Sequence, residues 1–470
     1  MLFSSLVFIW FFLPVVMLLY TAAPGRNAKN AVLLAASMFF YTWGEPKYIL
    51  LVLMTIGNCY LAGLLMEALG EQRSQKRVAA AVFILLQLSV LGYFKYFNFA
   101  AATLNGLVSR EVLPLRDIAL PLGISFYTFQ AISYMADTCQ GRNKAQRNLF
   151  HLAVYLCLFP QILSGPIIKY HEIADQIRHR QESISMQAYG IKRFTYGLAK
   201  KVLLANTFGQ TVDRIMNIPA GQLGTSTAWL AIVLYALQLY YDFSGYSDMA
   251  IGLGRMFGFR YAENFDYPYL SASITEFWRR WHISLSTWFK EYLYFPLGGN
   301  RKGLIRTCLN LSIVFLATGL WHGASMNFIV WGIYHGFFII LERFWLSKLL
   351  NKNPLKFVNH LYTLLAVLFG WILFRVTDME TVGLLLRAML LPTDGLWDVR
   401  IFADLRIIFA ALTGILFCGP VQRLCPRLKN RLYDEENIYS TDIMIMVVLL
   451  LLSTIVIVGG TYNAFIYFKF

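Results

Sequence analysis

Residues 311–340 read LSIVFLATGLWHGASMNFIVWGIYHGFFII, and this stretch decides the fold. It is long and apolar enough to cross a bilayer, since a transmembrane helix needs about 20 apolar residues. His322 lies in its middle, between Trp321 and Gly323, and His335 follows in the same stretch. An ionisable side chain at membrane depth is costly and is by default a functional hypothesis. The stretch therefore indicates a membrane protein with a candidate functional histidine.

His322 has the chemistry of a general base. Histidine suits proton transfer near neutrality because its ordinary pKa is about 6.5. Burial among Leu, Trp and Phe favours the neutral imidazole, which is the form that a general base needs. A structural alternative stays open, because a membrane histidine also serves simply to hydrogen-bond a neighbouring helix.

The composition indicates an all-α polytopic membrane protein. Of the 470 residues, 57% are hydrophobic and only 14% are charged, and apolar runs recur along the whole chain without a long polar block. We expect about a dozen apolar segments by the 20-residue criterion, not all of them full spans. No break in composition suggests a second domain, so residues 1–470 are expected to form a single one.

The charge of +15, from 41 basic and 26 acidic residues, does not point to nucleic acid here. The basic residues lie in short loops, as the positive-inside rule and contact with anionic lipid headgroups both predict. Two basic loops at residues 26–29 and 73–77 are separated by two crossings, which places both in the cytoplasm and the N-terminus outside. A final crossing at 443–459 leaves a short C-terminal tail outside. The six cysteines form no CxxC pair, so neither a zinc site nor a disulfide framework is expected.

Two segments interrupt the helical pattern with proline and glycine. They read PLGISFYTFQAISYMAD at residues 121–137 and LCLFPQILSGPIIKY at residues 156–170. Irregular backbone at membrane depth survives where it is buried in protein or lines a wet cavity, so these segments predict an internal tunnel or funnel. Ordinary proline kinks between spans are the alternative.

Charged residues also lie at the edges of two apolar runs. Lys200 and Lys201 interrupt RFTYGLAKKVLLANT, which predicts a helix at the membrane interface. Asp242 and Asp248 follow an apolar run and either cap a helix that starts near Tyr246 or line a polar entrance.

Residues 264–300 are the densest mixture of aromatic and charged side chains. Read as one helix, they present an apolar aromatic face formed by Phe277, Trp281, Leu285, Trp288 and Tyr292. Glu276 and Arg280 are spaced to pair along that helix. The segment is too polar to cross unaided, so we expect a surface-lying or re-entrant helix. An aromatic stripe of this kind is more often an anchor than a cofactor site.

Five segments together resemble the membrane-bound O-acyltransferase family, in the order in which that family shows them. They read PLGISFYTFQAISYMAD, FPQILSGPI, YYDFSGYSDMAIGLGRMFGF, ENFDYPYLSASITEFWRRWHISLSTWFKEYLYFPLGGNR and TGLWHGASMNFIVWGIYHG. They cover residues 120–340, and the last two are highly specific. The resemblance is strongest to the bacterial branch that O-acetylates alginate, which the additional C-terminal spans at residues 400–470 also resemble.

The resemblance implies a helical bundle with a central tunnel in the bacterial cytoplasmic membrane. Such proteins pass an acyl group from a cytoplasmic thioester, usually acetyl-CoA, to a hydroxyl outside, on an exported polysaccharide or on a partner SGNH-type acetyltransferase. The family histidine falls on His322 and the second motif histidine on His282. Because a CoA-type donor carries phosphate, Arg279 and Arg280 are candidate donor contacts. The remaining candidate binding residues are Trp278, Trp281, Asp242, Asp248, Asn327 and Trp321.

The expected mechanism is direct transfer. No nucleophile elbow or Cys–His pattern demands an acyl-enzyme, so His322 is expected to deprotonate the acceptor hydroxyl. His282 is expected to position the thioester or polarise its carbonyl. Two other functions stay open, namely D-alanyl transfer to teichoic acid and transport of polysaccharide or lipid. A metal site of His282, His322 and His335 lacks a spaced ligand pair on one helix face, so no metal is expected.

Overall fold

A computed structural model describes residues 1–460 and residue 462, which form helices and loops with no strand among them. Six of these helices are long and apolar enough to cross a membrane, namely Pro46–Ala68, Arg73–Val108, Leu304–His322, Met326–Lys352, Lys356–Arg375 and Ser440–Gly459. Two shorter apolar helices are Phe8–Ala22 and Leu405–Phe417. The predicted all-α polytopic membrane fold is thus confirmed. The predicted external C-terminal tail lies, apart from residues 460 and 462, outside the described residues.

The chain divides into two compact units. Unit 1 comprises Met1–Phe194 and Met249–Ala262, and unit 2 comprises Thr195–Asp248 and Glu263–Phe470. The single domain expected over residues 1–470 stays a prediction.

The helices that begin in unit 1 are Leu13–Ala22 (α1), Gly25–Gly44 (α2), Ile49–Ala68 (α3), Arg73–Leu91 (α4), Phe97–Val108 (α5), Ile124–Cys139 (α6), Leu149–Cys157 (α7), Phe159–Ile162 (α8), Tyr170–His179 (α9) and Ile184–Ala199 (α10). The interrupted segment at residues 121–137 becomes α6, which follows a turn at Gly123 with φ of +74°. The second interrupted segment begins at the end of α7, contains the short helix α8 and runs through irregular backbone to the start of α9. Both segments therefore contain the irregular backbone that their sequences predict.

The helices that begin in unit 2 are Asn206–Met216 (α11), Thr225–Met256 (α12), Ile274–Arg280 (α13), Ile283–Phe289 (α14), Leu304–His322 (α15), Met326–Leu341 (α16), Ser347–Lys352 (α17), Lys356–Arg375 (α18), Met379–Leu390 (α19), Leu405–Phe417 (α20), Pro420–Leu424 (α21), Pro426–Leu432 (α22) and Ser440–Gly459 (α23). A π-helical turn, Lys200–Ala205, precedes α11. Helices α10 and α12 contribute residues to both units.

Arg26 and Lys29, which were expected in a basic loop, lie in the first turns of α2 and join a polar cluster inside unit 1. The Glu182 carboxylate accepts hydrogen bonds from the side chains of Arg26 and Lys29, and from the Tyr20 hydroxyl at 2.6 Å. Arg180 donates to the same hydroxyl at 3.0 Å. Burial alone would raise the pKa of the Glu182 carboxyl. The hydrogen bonds from Lys29, Tyr20 and Arg26 outweigh burial and lower this pKa to about 2. These basic side chains therefore hold unit 1 together as well as marking a candidate cytoplasmic loop.

Helices α15 and α16 pack closely as a hairpin. A Cβ on Gly319 would lie 2.2 Å from the Phe328 carbonyl oxygen, and one on Gly332 would lie 2.5 Å from that of Phe315. Glycine at both positions lets the two backbones approach, as is common between membrane helices. The central stretch is therefore two helices rather than one, and His322 is the last residue of α15 instead of the middle of a span.

Helix α12 is continuous over 32 residues, so the predicted helix start near Tyr246 is wrong. Asp242 and Asp248 lie inside this helix rather than in a loop. The glycine between the two aspartates, Gly245, is needed for close packing, since a Cβ there would lie 2.7 Å from the Gly197 carbonyl oxygen. The glycine serves a close contact between helices and does not mark a turn.

Candidate active site

The single amphipathic helix predicted within residues 264–300 is broken at His282. Helix α13 ends at Arg280 and α14 begins at Ile283, and His282 between them adopts the left-handed conformation with φ of +46°. This conformation is uncommon for a residue with a side chain. The Ile283 N–H donates to the backbone carbonyl of Asn264 at 3.0 Å, which pins the break. Because of this break, the His282 side chain points into the protein. On the single surface helix that was predicted, it would have lain on the helix surface.

His282 is buried, with 1% of its surface exposed. Its Nδ1 lies 3.3 Å from Oδ1 of Asn264, and its ring packs edge-on against Phe243 with centroids 4.6 Å apart. The Trp321 ring is 5.8 Å away. His282 lies outside the six candidate spans, and burial lowers its pKa to about 3. The imidazole is therefore neutral at physiological pH.

His322 is enclosed by aromatic rings. The centroid of its imidazole is 5.0 Å from Trp321, 5.0 Å from Trp331, 5.1 Å from Phe374 and 6.5 Å from Phe328, and 4% of the residue is exposed. Trp321 thus contacts both His322 and the histidine at the α13–α14 break. The structure brings the two histidines of the sequence motifs together around one indole ring.

His335 packs against the same group of aromatic rings but does not contact His282 or His322. Its ring centroid is 4.9 Å from Trp331 and 5.0 Å from Trp278. Neither ring nitrogen of His335 has a hydrogen-bond partner among the described residues. Trp331 therefore separates His335 from His322. Within the described part of the chain, no group of three or more His, Cys, Asp or Glu side chains is arranged to hold a metal ion.

The two adjacent arginines have different surroundings. Arg280 Nη2 lies 2.9 Å from the Glu276 carboxylate and its Nη1 lies 3.3 Å from that of Asp266, which confirms the predicted Glu276–Arg280 pair. Arg279 is exposed and forms no ion pair with any residue that the structure describes. Of the two candidate donor contacts, Arg279 is therefore the one whose guanidinium is available to a ligand.

Three further candidates take part in packing. Trp281 is buried, with its ring centroid 5.0 Å from that of Trp371. Trp278 packs edge-on against Trp331 at 5.5 Å. Asn327 donates to the Leu373 carbonyl oxygen at 3.0 Å and also accepts from the Ser325 hydroxyl. Asn327 thus holds the start of α16 in place, and its hydrogen bonds do not go to the His322 imidazole at the end of α15.

A small polar pocket lies beside the α13–α14 break. It is lined by Lys200, Tyr240, Ser244, Ser247, Asp248, Glu263, Asn264, Phe265, Tyr267 and Tyr433. Asp248 therefore borders a polar pocket, where its carboxylate lies 2.6 Å from the Lys200 ammonium.

Asp242 has a different environment, because it forms an internal ion pair. Its carboxylate lies 2.6 Å from the ammonium of Lys201, and both side chains are at most 3% exposed. The expected interfacial helix around Lys201 stays a prediction, and the Lys201 charge itself points into the protein. The sequence did contain a signal for these ion pairs, because two lysines and two aspartates stand in otherwise apolar segments.

The sequence interpretation missed two further residues. Asn264 connects the pocket wall to the α13–α14 break through the contacts described above. Glu342, buried at the end of α16, accepts hydrogen bonds from the backbone N–H groups of Ile274 at 2.6 Å and Thr275 at 2.8 Å, which caps the N-terminus of α13. The sequence signal for Glu342 was an acid that directly follows a long apolar run.

Comparison with known proteins gives one consistent family. The profile of the membrane-bound O-acyltransferase family matches residues 140–382. The probable alginate O-acetylase AlgI of Pseudomonas aeruginosa is 42% identical over 85% of this chain and 76% of its own length. The peptidoglycan O-acetyltransferase of Helicobacter pylori is 31% identical over 100% of this chain and 98% of its own length. The teichoic acid D-alanyltransferase of Bacillus subtilis is 29% identical over 56% of this chain and 70% of its own length.

Proposed function

Because this chain belongs to the membrane-bound O-acyltransferase family, we propose that it transfers an acetyl group from cytoplasmic acetyl-CoA to a hydroxyl outside the membrane. That the chain is an O-acyltransferase and a multi-pass membrane protein follows from the family and from its apolar helices. The proposed acceptor is an exported polysaccharide, reached directly or through a partner SGNH-type acetyltransferase. The proposed location is the bacterial cytoplasmic membrane, with the N-terminus outside.

Two relatives support acetyl as the acyl group. The O-acetylase of P. aeruginosa and the O-acetyltransferase of H. pylori each match at least 85% of this chain, whereas the D-alanyltransferase matches 56% at lower identity. Both of the former act on polysaccharides by their names. The three relatives named above are enzymes by their names, which weighs against the transport hypothesis. D-alanyl transfer remains the second candidate because of the third relative.

The observation that carries the proposed mechanism is the meeting of His282 and His322 around Trp321. In this mechanism, His322 takes the proton of the acceptor hydroxyl while the oxygen attacks the acetyl carbonyl. The carbon–sulfur bond then breaks and the CoA thiolate leaves, taking the proton back from His322. His282 holds the substrate in place. The aromatic surroundings exclude water, which would otherwise hydrolyse the thioester.

The proposed orientation predicts which positions a membrane-impermeant thiol reagent reaches. Residues 264–300 are proposed to form the donor entrance, so Asn300→Cys, an exposed position, should react only once the membrane is opened. The background lacks the six native cysteines. The measurement is labelling of intact cells against permeabilised cells.

Two exposed positions calibrate this experiment. Ser74→Cys lies in the second basic loop and should behave like Asn300→Cys, whereas Lys47→Cys should react in intact cells. Labelling of Asn300→Cys in intact cells would overturn the proposed donor side.

The exposed Arg279 predicts a donor contact. Replacing it by lysine keeps the charge but removes the planar pair of N–H donors that suits phosphate. Apparent affinity for acetyl-CoA should fall roughly tenfold, since a hydrogen bond to a charged group contributes about 1.5–3 kcal/mol. The measurement is an acetyl-CoA titration of the purified protein in detergent, followed by binding or hydrolysis.

Arg280→Lys is the matched control. Because Arg280 already pairs with Glu276 and Asp266, this change should leave donor affinity within about twofold. Equal affinities for the wild type and both variants would remove the donor role from this arginine pair. No binding of acetyl-CoA by the wild type would overturn the proposed donor itself.

A further inference from the structure

We propose that Asn264 is a positioning residue that holds neutral His282 with its proton on Nδ1, so that Nε2 accepts a hydrogen bond from the substrate. Asn264 is fully buried and lies between the pocket and the α13–α14 break. The inference rests on the proposed function, because it concerns what His282 offers to the acyl-transfer substrates. It also chooses between the two roles considered for His282, positioning the thioester and polarising its carbonyl.

The orientation of the Asn264 amide follows from its neighbours. Its Oδ1 lies 3.1 Å from the backbone nitrogen of Ser284, which can only donate. Its Nδ2 donates to the Ser247 hydroxyl at 3.1 Å. The reversed amide would point an NH₂ group at the Ser284 N–H, so the atom that faces this backbone group must be the oxygen.

The tautomer of His282 follows from that orientation. Nδ1 of His282 lies 3.3 Å from Asn264 Oδ1, an atom that can only accept. The neighbouring Ser284 hydroxyl, 3.5 Å from Nδ1, donates its own proton to the same Oδ1 at 2.9 Å. A neutral imidazole satisfies this arrangement only when Nδ1 carries the proton. Nε2 then carries the lone pair.

This tautomer limits the chemistry of His282. A neutral ring with the proton on Nδ1 has no N–H at Nε2 with which to stabilise an oxyanion. Nε2 instead accepts from an N–H or O–H of the substrate, either an amide N–H of the donor or a second hydroxyl of the acceptor, because the proton of the reacting hydroxyl goes to His322. His282 is therefore a substrate-positioning residue, and stabilisation of the oxyanion falls to other groups.

The test is ¹⁵N spectroscopy of the purified protein labelled at histidine, with His282→Gln identifying the His282 signals. We expect a protonated Nδ1 and an unprotonated Nε2 in the wild type. Asn264→Leu removes the acceptor and should mix the tautomers. It should also slow acetyl transfer roughly 10–100-fold, by analogy with residues that orient metal-binding histidines. Asn264→Asp keeps an acceptor oxygen and should retain the wild-type tautomer. A wild-type spectrum with the proton on Nε2 would overturn the proposal.

Asn310→Leu is the structural control. Asn310 is also a fully buried asparagine, but it donates to the backbone carbonyls of Leu297 and Gly299. Its replacement should lower stability and leave the His282 spectrum unchanged. If Asn310→Leu mixes the tautomers as Asn264→Leu does, the effect is general loosening and the proposal is wrong.

Failure of this proposal can be told apart from failure of the proposed function, because one is read from the ¹⁵N spectrum and the other from acetyl transfer. Full acetyl transfer by His282→Gln would remove His282 from the reaction, whereas the tautomer is read from the spectrum alone. Weaker acetyl-CoA binding by Asn264→Leu without acceptor present would assign the Nε2 contact to the donor. Unchanged binding with slower transfer would assign it to a second hydroxyl of the acceptor.

Discussion

His322→Ala is expected to abolish acetylation of the exported polymer while the protein still inserts and folds. Loss of a general base typically slows a reaction about 10²–10⁴-fold, so the O-acetyl content of the polymer should fall to background. His322→Gln should fall equally, because it keeps a polar side chain but cannot take the proton. The measurement is O-acetyl content of the polymer together with membrane abundance of each variant.

His179→Ala is the control for this experiment. His179 is exposed and, among the residues that the structure describes, pairs with Asp175 alone, so its replacement should leave acetylation unchanged. Retained acetylation in His322→Ala at normal abundance would contradict the general-base assignment. Loss of polymer export, with acetylation of the residual polymer intact, would favour the transport function.

Asp242→Ala is expected to destabilise the protein strongly, because it leaves the Lys201 charge buried without its carboxylate partner. Removing one member of a buried ion pair typically costs about 3–5 kcal/mol. Both side chains of this pair are at most 3% exposed, and their charged atoms lie 2.6 Å apart. The measurement is the thermal unfolding of the purified variant in detergent. The combined change Lys201→Met with Asp242→Leu should recover most of the loss, because it removes both charges.

Lys429→Met provides the matched surface control. Lys429 lies 3.8 Å from Asp266, and both side chains are nearly half exposed, so the change should cost at most about 1 kcal/mol. An Asp242→Ala variant as stable as the wild type but inactive would contradict the structural reading. That result would instead support the substrate-binding role that the sequence predicted for Asp242.

The parts of the fold that depend on local pattern could be predicted. Apolar length identified the membrane helices, and a spacing of four residues identified the Glu276–Arg280 pair, which the structure confirms. The family motifs also selected two histidines that meet around Trp321. Neighbours in sequence determine the helices and the Glu276–Arg280 pair, whereas the two histidines, forty residues apart, were selected by the resemblance to the family.

The parts that depend on distant contacts could not be predicted. The helical period runs through His282 without a glycine or proline, and only the hydrogen bonds that Asn264 accepts from the Ile283 and Ser284 N–H groups show that the chain turns there. The helix start expected near Tyr246 is absent because Gly245 packs closely against α10 inside the continuous helix α12. The burial of Lys201 depends on a π-helical turn and on an aspartate some forty residues away in the chain. Periodicity within one segment contains none of this information.

The most direct test of the central claim uses right-side-out membrane vesicles from the producing bacterium, loaded inside with acetyl-CoA labelled in the acetyl group. These vesicles retain any partner protein and the exported polymer. With the wild type, we expect label to appear as base-labile ester on the external polymer, and with His322→Gln we expect none. External ester formed equally by His322→Gln, or formed only when the labelled donor is supplied outside, would contradict the account.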